Sequence, residues 1–261
     1  MTNEIELKDS EFRLLSELVK KTAGITLAEH KKALLIQRLR KEVLKNGFHS
    51  FKEYYEFVVN DSSGEAISDL VNRISTNHTF FYREPDHFDF FKNTVLPEFK
   101  KRFEQTGKTD IRIWCAASSS GEEPYTLAML VAEYFGIQLN QFDISMLATD
   151  ISTVVLNKAI SGIYEAEQIN KLPLNLQKSF FNKKANGMFE VKNSIKQMLD
   201  FKRFNLIRPE FPFKKKFHTI FCRNIMIYFD AKTKNELFEK YTPKLFTENL
   251  LLLAKLIYKL I

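Results

Sequence analysis

Apolar residues recur at three- and four-residue intervals over the first 70 positions, the period of helices with one buried face. Three such stretches stand out. SEFRLLSELVKKTAG ends on Gly24, LAEHKKALLIQRLRKEVLKNG ends on Gly47, and SFKEYYEFVVN precedes a turn at DSSG, with Ser10, Thr26 and Ser50 placed to start them. From about Ile111 the pattern changes to short β-rich runs, IRIWCAA, ISMLATDI, FKRFNLI and FHTIFCRNIMIYF, with helical stretches from about Pro124 and from Ser152 between them. That alternation predicts a parallel sheet with crossover helices. Residues 161–200 break it with SGIYE, KLP, KKANGMFEV and NSIKQMLDF, which read as an inserted hairpin or mixed subdomain.

Composition narrows the class. With 261 residues, 44% of them apolar and 25 of them Phe, the chain has ample material for a core and is neither disordered nor fibrous. Cys115 and Cys222 are too few for a disulfide framework or a four-cysteine zinc site, and both lie in apolar runs, so a reducing, cytoplasmic compartment is expected. The opening MTNEIELKDSEF is acidic where a secretion signal is basic and apolar, and no run of about 18 apolar residues occurs. Neither secretion nor membrane insertion is expected. The net charge of +7 is uneven: Lys31 to Lys45 holds six basic residues and one acid, and 171–216 holds 12 basic against 3 acidic.

In open α/β sheets ligands bind beyond the carboxyl ends of the strands. Four such ends here are polar. IRIWCAASSSGEEPYTLAML has small residues, Ala116 to Gly121, where a ligand can approach the backbone and the following helix N-terminus. It lacks GxGxxG and a P-loop Lys, which disfavours a nucleotide polyphosphate. Glu123 reads equally well as a helix cap, since it has capping-box spacing from Ser120. Asp150 follows the apolar part of LATDIS, where a carboxylate can accept the hydroxyls of a ribose; at even odds it caps the next helix. Asn205 ends FNLI, and Arg223 and Asn224 interrupt the apolar run FCRNIMIYF, where a charge needs a partner. A fifth element, NHTFFYREPDHF, places Asn77, Thr79 and Arg83 among aromatic rings suited to a flat ligand or to an interdomain hinge. His78 and His87 have no further ligand at metal spacing, so no metal is expected.

NHTFFYRE, IWCAASSSGEEPYTLAML, LATDIS, FNLI and FCRNIMIYF, in this order and at this spacing, resemble the chemotaxis receptor glutamate methyltransferases, the CheR family. The likeness covers about residues 10–230. It implies an α/β, Rossmann-like S-adenosylmethionine-dependent methyltransferase domain over 76–261, an N-terminal all-helical domain over 1–75, and a small inserted β-subdomain at about 161–200 that docks a receptor peptide in some members. The implied activity is methyl transfer to glutamate carboxylates of chemoreceptors, with S-adenosylhomocysteine as product. By matched position, Asn77, Thr79 and Arg83 fall at the methionine and sulfonium end of the cofactor and Ala117 and Glu123 in its loop. Asp150 matches the ribose carboxylate, Asn205 and Leu206 the adenine site, Arg223 and Asn224 a polar pair beside the cofactor, and Tyr228 a tyrosine near the methyl group. Arg83 and Tyr228 are the catalytic candidates, Arg83 in an orienting role.

On the second helix, Leu35, Ile36, Leu39 and Val43 form one stripe and Lys31, Arg38, Lys41 and Lys45 another, a candidate docking face for acidic receptor helices or else a solvated face. The expected partners are chemoreceptor cytoplasmic domains, without nucleic acid, and the enzyme is expected to be a monomer. A module of the same fold that binds cofactor or nucleic acid without turnover is the rival; nucleic-acid binding predicts affinity falling steeply with salt. The likeness departs after TPKLF: a Gly-rich turn, a strand and a GHSE-like segment are expected there, and this chain reads TENLLLLAKLIYKLI. An altered last strand pair and an apolar edge follow from that departure.

Overall fold

The computed structural model describes residues 5–245. The Leu-rich segment on which the altered strand pair was expected lies outside them. Two compact units form. One runs to Thr76 and includes 205–209 and 225–237; the other holds 77–204, 210–224 and the described residues from 238.

The first unit is built on α1 (Asp9–Ala23), α2 (Lys32–Lys45), α3 (Phe51–Asn60) and α4 (Glu65–Ile74). Leu15 and Val19 of α1, Leu35, Leu39 and Val43 of α2, Tyr54 and Val58 of α3, and Leu70 and Val71 of α4 are buried, as their helical spacing requires. The starts differ from two of the sequence signals. Helix α1 begins after Lys8 rather than at Ser10, because Glu11 accepts the Lys8 amide at 2.8 Å. A 3₁₀ turn, Glu29–Lys31, separates Thr26 from α2. Ser50 does cap α3, accepting the Glu53 amide at 3.2 Å. Later segments belong to this unit: Thr26 donates its amide to the Tyr228 carbonyl at 2.9 Å, and Lys20 pairs with Asp230 at 2.8 Å.

The second unit contains α5 (Pro85–Phe90), α6 (Leu96–Thr106), β1 (Asp110–Ala116), α7 (Glu122–Phe135), β2 (Asp143–Asp150) and α8 (Thr153–Ser161). An inserted three-stranded antiparallel sheet follows, ordered β3 (Ile163–Tyr164), β5 (Phe189–Val191), β4 (Phe181–Lys183). The chain then returns as β6 (Leu199–Arg203) and β7 (Thr219–Phe221). The main sheet is parallel, in the order β6-β2-β1-β7. It is a Rossmann-like α/β sheet with helical crossovers. Alternation along β1 serves both faces. Ile111, Ile113 and Cys115 join a core with Leu127, Leu130 and Val131 of α7 and Phe91 and Leu96 before the sheet. Trp114 sits in an aromatic cluster of Phe204, Phe211, Phe213, Phe217 and Tyr241, with its indole N–H donated to Thr149 Oγ1 at 2.9 Å.

The apolar run FHTIFCRNIMIYF is not one long strand. Strand β7 stops at Phe221 and a 3₁₀ turn takes Met226–Tyr228, so Arg223 and Asn224 lie past the strand end rather than inside it. At the opposite end of the sheet, buried His218 accepts the Arg112 amide through Nδ1 at 3.0 Å, and its Nε2 stands 3.6 Å from Asp110 Oδ2. Burial first, and then the Arg102 charge, push its pKa down to about 4, against the attraction of Asp110. A histidine whose folded value is depressed adds stability that is full above its unfolded value of 6.5 and is lost as pH falls towards 4. In His218→Gln, whose side-chain oxygen still accepts the Arg112 amide, the loss of unfolding free energy between pH 7 and 4.5 is expected to shrink by on the order of 2 kcal/mol. Chemical denaturation at the two pH values checks this, and equal losses in both proteins would contradict it.

Candidate functional site

Parallel pairing brings the ends of β1 and β2 level, Ala116 opposite Thr149, so the residues that follow face one another. The Ser118 amide donates to the Thr149 carbonyl at 2.8 Å and the Ser119 amide to Asp150 Oδ2 at 2.8 Å. Asp150 Oδ1 accepts the Ser152 amide at 2.9 Å, and its carbonyl accepts the Phe204 amide just past β6 at 2.9 Å. Ser152, not Asp150, caps α8, with its Oγ accepting from Val155. Asp150 is therefore a buried carboxylate held by backbone donors at the end of a strand. Burial raises its pKa, and the amides of Ser152, Ser119 and Ile151 oppose the shift. A carboxylate has about four acceptor positions, so these amides leave it with capacity for ligand hydroxyls.

The turn from β1 to α7 is shaped by left-handed residues. Ala117 has φ 63°, Ser119 47° and Gly121 97°. Glycine is required at 121, because a Cβ there would meet the Tyr164 hydroxyl at 2.8 Å and Ala159 Cβ at 2.9 Å. The capping-box reading of Ser120 with Glu123 does not describe this helix start: the Ser120 hydroxyl goes to Glu122, at 2.8 Å from Oε2, and Gly121 is the N-cap without a side-chain bond. Ser118 Oγ is buried without a hydrogen-bond partner.

Glu123 turns instead towards Arg223. That guanidinium, with its side chain 2% exposed, reaches Glu123 Oε2 through Nη1 and Glu84 Oε2 through Nη2, each at 3.0 Å. Nη2 also donates to the Arg83 carbonyl, and the Phe88 ring lies 5.0 Å below. Asn224, itself left-handed, donates to the other Glu84 oxygen at 2.8 Å. Burial raises the pKa of Glu123 despite the adjacent cation. Glu84 is lowered: partial burial is outweighed by the Asn224 and Arg223 hydrogen bonds and the Arg223 charge. Two carboxylates, Glu123 mostly buried and Glu84 exposed, with one buried cation between them make a tight knot that joins three distant segments. Ser119 Oγ adds a fourth link, reaching the Asn77 carbonyl at 3.4 Å.

Two family models cover almost all of the chain. "CheR methyltransferase, all-alpha domain" matches residues 10–75, and "CheR methyltransferase, SAM binding domain" matches residues 77–255. The protein belongs to the CheR methyltransferase family. A chemotaxis protein methyltransferase of Borreliella burgdorferi is 42% identical over 250 residues, which is 96% of this chain and 88% of that one. One from Escherichia coli is 34% identical over 96% of this chain and 85% of its own, and a probable one from Rhizobium etli is 34% identical over 84% and 81%. The chain is thus an S-adenosylmethionine-dependent methyltransferase of chemotaxis.

Within this CheR enzyme, the second unit contains Asn77, Thr79, Arg83, Ala117, Glu123, Asp150, Arg223 and Asn224. Arg83 donates to the His78 carbonyl at 2.7 Å and its Nε is 3.8 Å from Glu84. Arg223 has both terminal nitrogens on protein acceptors, which makes it a residue that positions the loops. Asn205, Leu206 and Tyr228 belong to the first unit, where the Asn205 amide nitrogen donates to the Thr22 carbonyl at 2.7 Å and its oxygen accepts the Ile207 amide at 3.2 Å. Leu206 is buried there. On α2, Lys31, Lys41 and Lys45 are exposed, but Arg38 is turned to the end of α4, where it donates to the carbonyls of Arg73, Ile74 and Ser75 and to Thr76 Oγ1. The basic stripe keeps three free heads and one helix cap. Glu84 was not singled out from sequence, since an acid before Pro85 carries no signal until Arg223 is seen beside it. Replacing Arg223 with Met is expected to cost about 3–5 kcal/mol of unfolding free energy, because Glu123 is left buried without a counter-charge. Arg223→Lys should restore only part, as one ammonium cannot span both carboxylates. A loss below 1 kcal/mol in urea denaturation would show that the knot is not structural.

Proposed function

We propose that this enzyme esterifies glutamate side chains of chemoreceptor cytoplasmic domains, with Asp150 taking the ribose of the cofactor. The observation that carries the cofactor placement is the Asp150 carboxylate, buried at a strand end with its backbone bonds made and acceptor capacity to spare. The donor set fits: a carboxylate for two vicinal hydroxyls, an unpartnered buried Ser118 hydroxyl, and a small-residue turn without a phosphate-binding lysine. When bound, S-adenosylmethionine supplies an electrophilic methyl group on a sulfonium.

The residues of the chain then do positioning. Ala117 and Ser119, held left-handed, present the turn backbone to the cofactor, and Asn205 and Leu206 are assigned to the adenine. Asn77 and Thr79 take the methionine end. Arg83, half-buried with one donor on the His78 carbonyl, offers its remaining donors to a carboxylate, that of the cofactor or of the acceptor glutamate. An acceptor glutamate is ionised near pH 7, so no base is needed to create the nucleophile, and an orienting cation is enough. Arg223 and Asn224 act through Glu84 and Glu123, fixing the loops that carry these groups. Tyr228 is assigned to the reacting end, beside the methyl group. The exposed lysines Lys31, Lys41 and Lys45, with Arg38 beside them, are assigned to acidic receptor helices.

Titrating S-adenosylhomocysteine calorimetrically into wild type and Asp150→Ala tests the placement: the variant is expected to bind at least tenfold more weakly, and unchanged affinity would remove the assignment. Incubating the enzyme with methyl-labelled cofactor and a chemoreceptor cytoplasmic fragment tests the acceptor. Volatile labelled methanol released by base is expected from an ester, and label that survives base would point to a different acceptor.

A further inference from the structure

The first strand of the inserted sheet ends on Tyr164, which is fully buried. Its hydroxyl donates to the Ser120 carbonyl at 2.7 Å, in the turn that leads from β1 to α7. Its ring stands edge-on to Phe81, centroids 4.8 Å apart, and Phe81 lies in the segment that carries Asn77, Thr79 and Arg83. Phe181, the first residue of β4, packs on the same Phe81 ring at 5.7 Å. The inserted sheet is thereby fastened to both loops, through a hydrogen bond to one and two ring contacts to the other. Burial pushes the Tyr164 pKa well above the ordinary tyrosine value, with the charge of Glu122 adding to it, so the hydroxyl remains a donor throughout the neutral range.

The Ser120 carbonyl lies within the left-handed part of the turn. Ser119 and Gly121, on either side, are left-handed, and Gly121 has no side chain because the Tyr164 hydroxyl and Ala159 occupy that space. The Ser120 hydroxyl meanwhile goes to the buried Glu122, whose Oε1 is also approached by Gln168 at 3.5 Å. Gln168 stands four residues after Tyr164, so the inserted segment grips the turn at two points. Removing the Tyr164 hydroxyl leaves a buried carbonyl unpaired beside the strained Ser119. The freed carbonyl can rotate, and its peptide unit also carries the Gly121 amide, which donates to the Ser118 carbonyl at 3.1 Å, so rotation disturbs the Ser118–Ser119 peptide whose amide holds Asp150.

We infer that Tyr164 is a positioning residue for cofactor binding, its hydroxyl locking the Ala117–Gly121 turn in the geometry that presents Asp150. This rests on the assignment of Asp150 to the cofactor. The structure contains its own control. Tyr125, equally buried, donates its hydroxyl to the Ala159 carbonyl at 2.8 Å, a bond to α8 rather than to a backbone group of the turn. Tyr164→Phe and Tyr125→Phe each delete one buried tyrosine hydroxyl and keep the ring.

S-adenosylhomocysteine is titrated calorimetrically into wild type, both variants and Asp150→Ala, with thermal unfolding followed in parallel. Both Phe variants are expected to unfold at lower temperature by similar amounts. Only Tyr164→Phe is expected to bind five- to twentyfold more weakly, while Tyr125→Phe stays within twofold of wild type. Hydrogen exchange of amides 118–122 should quicken in Tyr164→Phe and not in Tyr125→Phe, a readout that holds even if the calorimetry of the weaker binder is shallow. Unchanged affinity in Tyr164→Phe while Asp150→Ala is weakened overturns this inference alone. Equal weakening in both Phe variants overturns it as well, since the effect is then one of general stability. Full affinity in Asp150→Ala overturns the cofactor placement and with it the role of Tyr164.

Discussion

A single buried guanidinium holds the site together. Arg223 follows the end of β7, Glu84 precedes α5, and Glu123 lies in the first turn of α7, so one side chain joins residues 100 and 139 positions away in sequence. Its charge has almost no access to water, and its position is tenable only because carboxylates stand on both sides. Such a cluster does little for stability compared with an apolar core of the same volume; its value lies in geometry. Movement of either carboxylate leaves the buried guanidinium short of a counter-charge in a medium of low dielectric, so the three segments are confined to one arrangement.

That confinement explains where the strained backbone is found. Among the described residues, the non-glycine positions with left-handed φ are Tyr82, Glu84, Ala117, Ser119 and Asn224. Each costs on the order of 1 kcal/mol or more relative to relaxed backbone. All five fall in the segments tied by Arg223 and Asp150, and none in the helical unit. Strain of this kind persists only where the surroundings over-determine it. Here the hydrogen bonds of Arg223, Asn224 and Asp150 do so, and the result is a set of loops whose backbone donors and carboxylates are arranged before any ligand arrives. For a transfer between two groups that already have the right polarity, prior arrangement is the main thing an enzyme can add.

Much of this was legible in the sequence, and for identifiable reasons. Helical periodicity over the first 70 residues and β-rich runs after Ile111 reflect burial on one face or two, which is a local property. That Asp150 stands at a strand end was legible because it directly follows an apolar run; that Ser152 rather than Asp150 caps the next helix was not, since both residue types suit a cap. The errors are non-local. FHTIFCRNIMIYF is mostly apolar on either side of Arg223 and Asn224 and reads as one strand, but the strand ends at Phe221 and Arg223 pairs with Glu84 and Glu123; the run shows that its charge needs a partner and not where that partner lies. Arg38 shares its helix stripe with three lysines, yet the carbonyls at the end of α4 claim it, a contact between residues 35 or more positions apart. Glu123 has the spacing of a cap and acts as a counter-ion. Tyr164, in SGIYE, gave no sign of a role because its partner is a backbone carbonyl, which every residue has.

Hydrogen exchange with and without saturating S-adenosylhomocysteine reads directly, for the intact chain, where the cofactor sits. Slowed exchange is predicted at residues 77–84, 117–121 and 150–152, the segments that Arg223 and Asp150 hold in place. Protection confined to the inserted sheet or to the lysine face of α2, with those three segments unaffected, would contradict it.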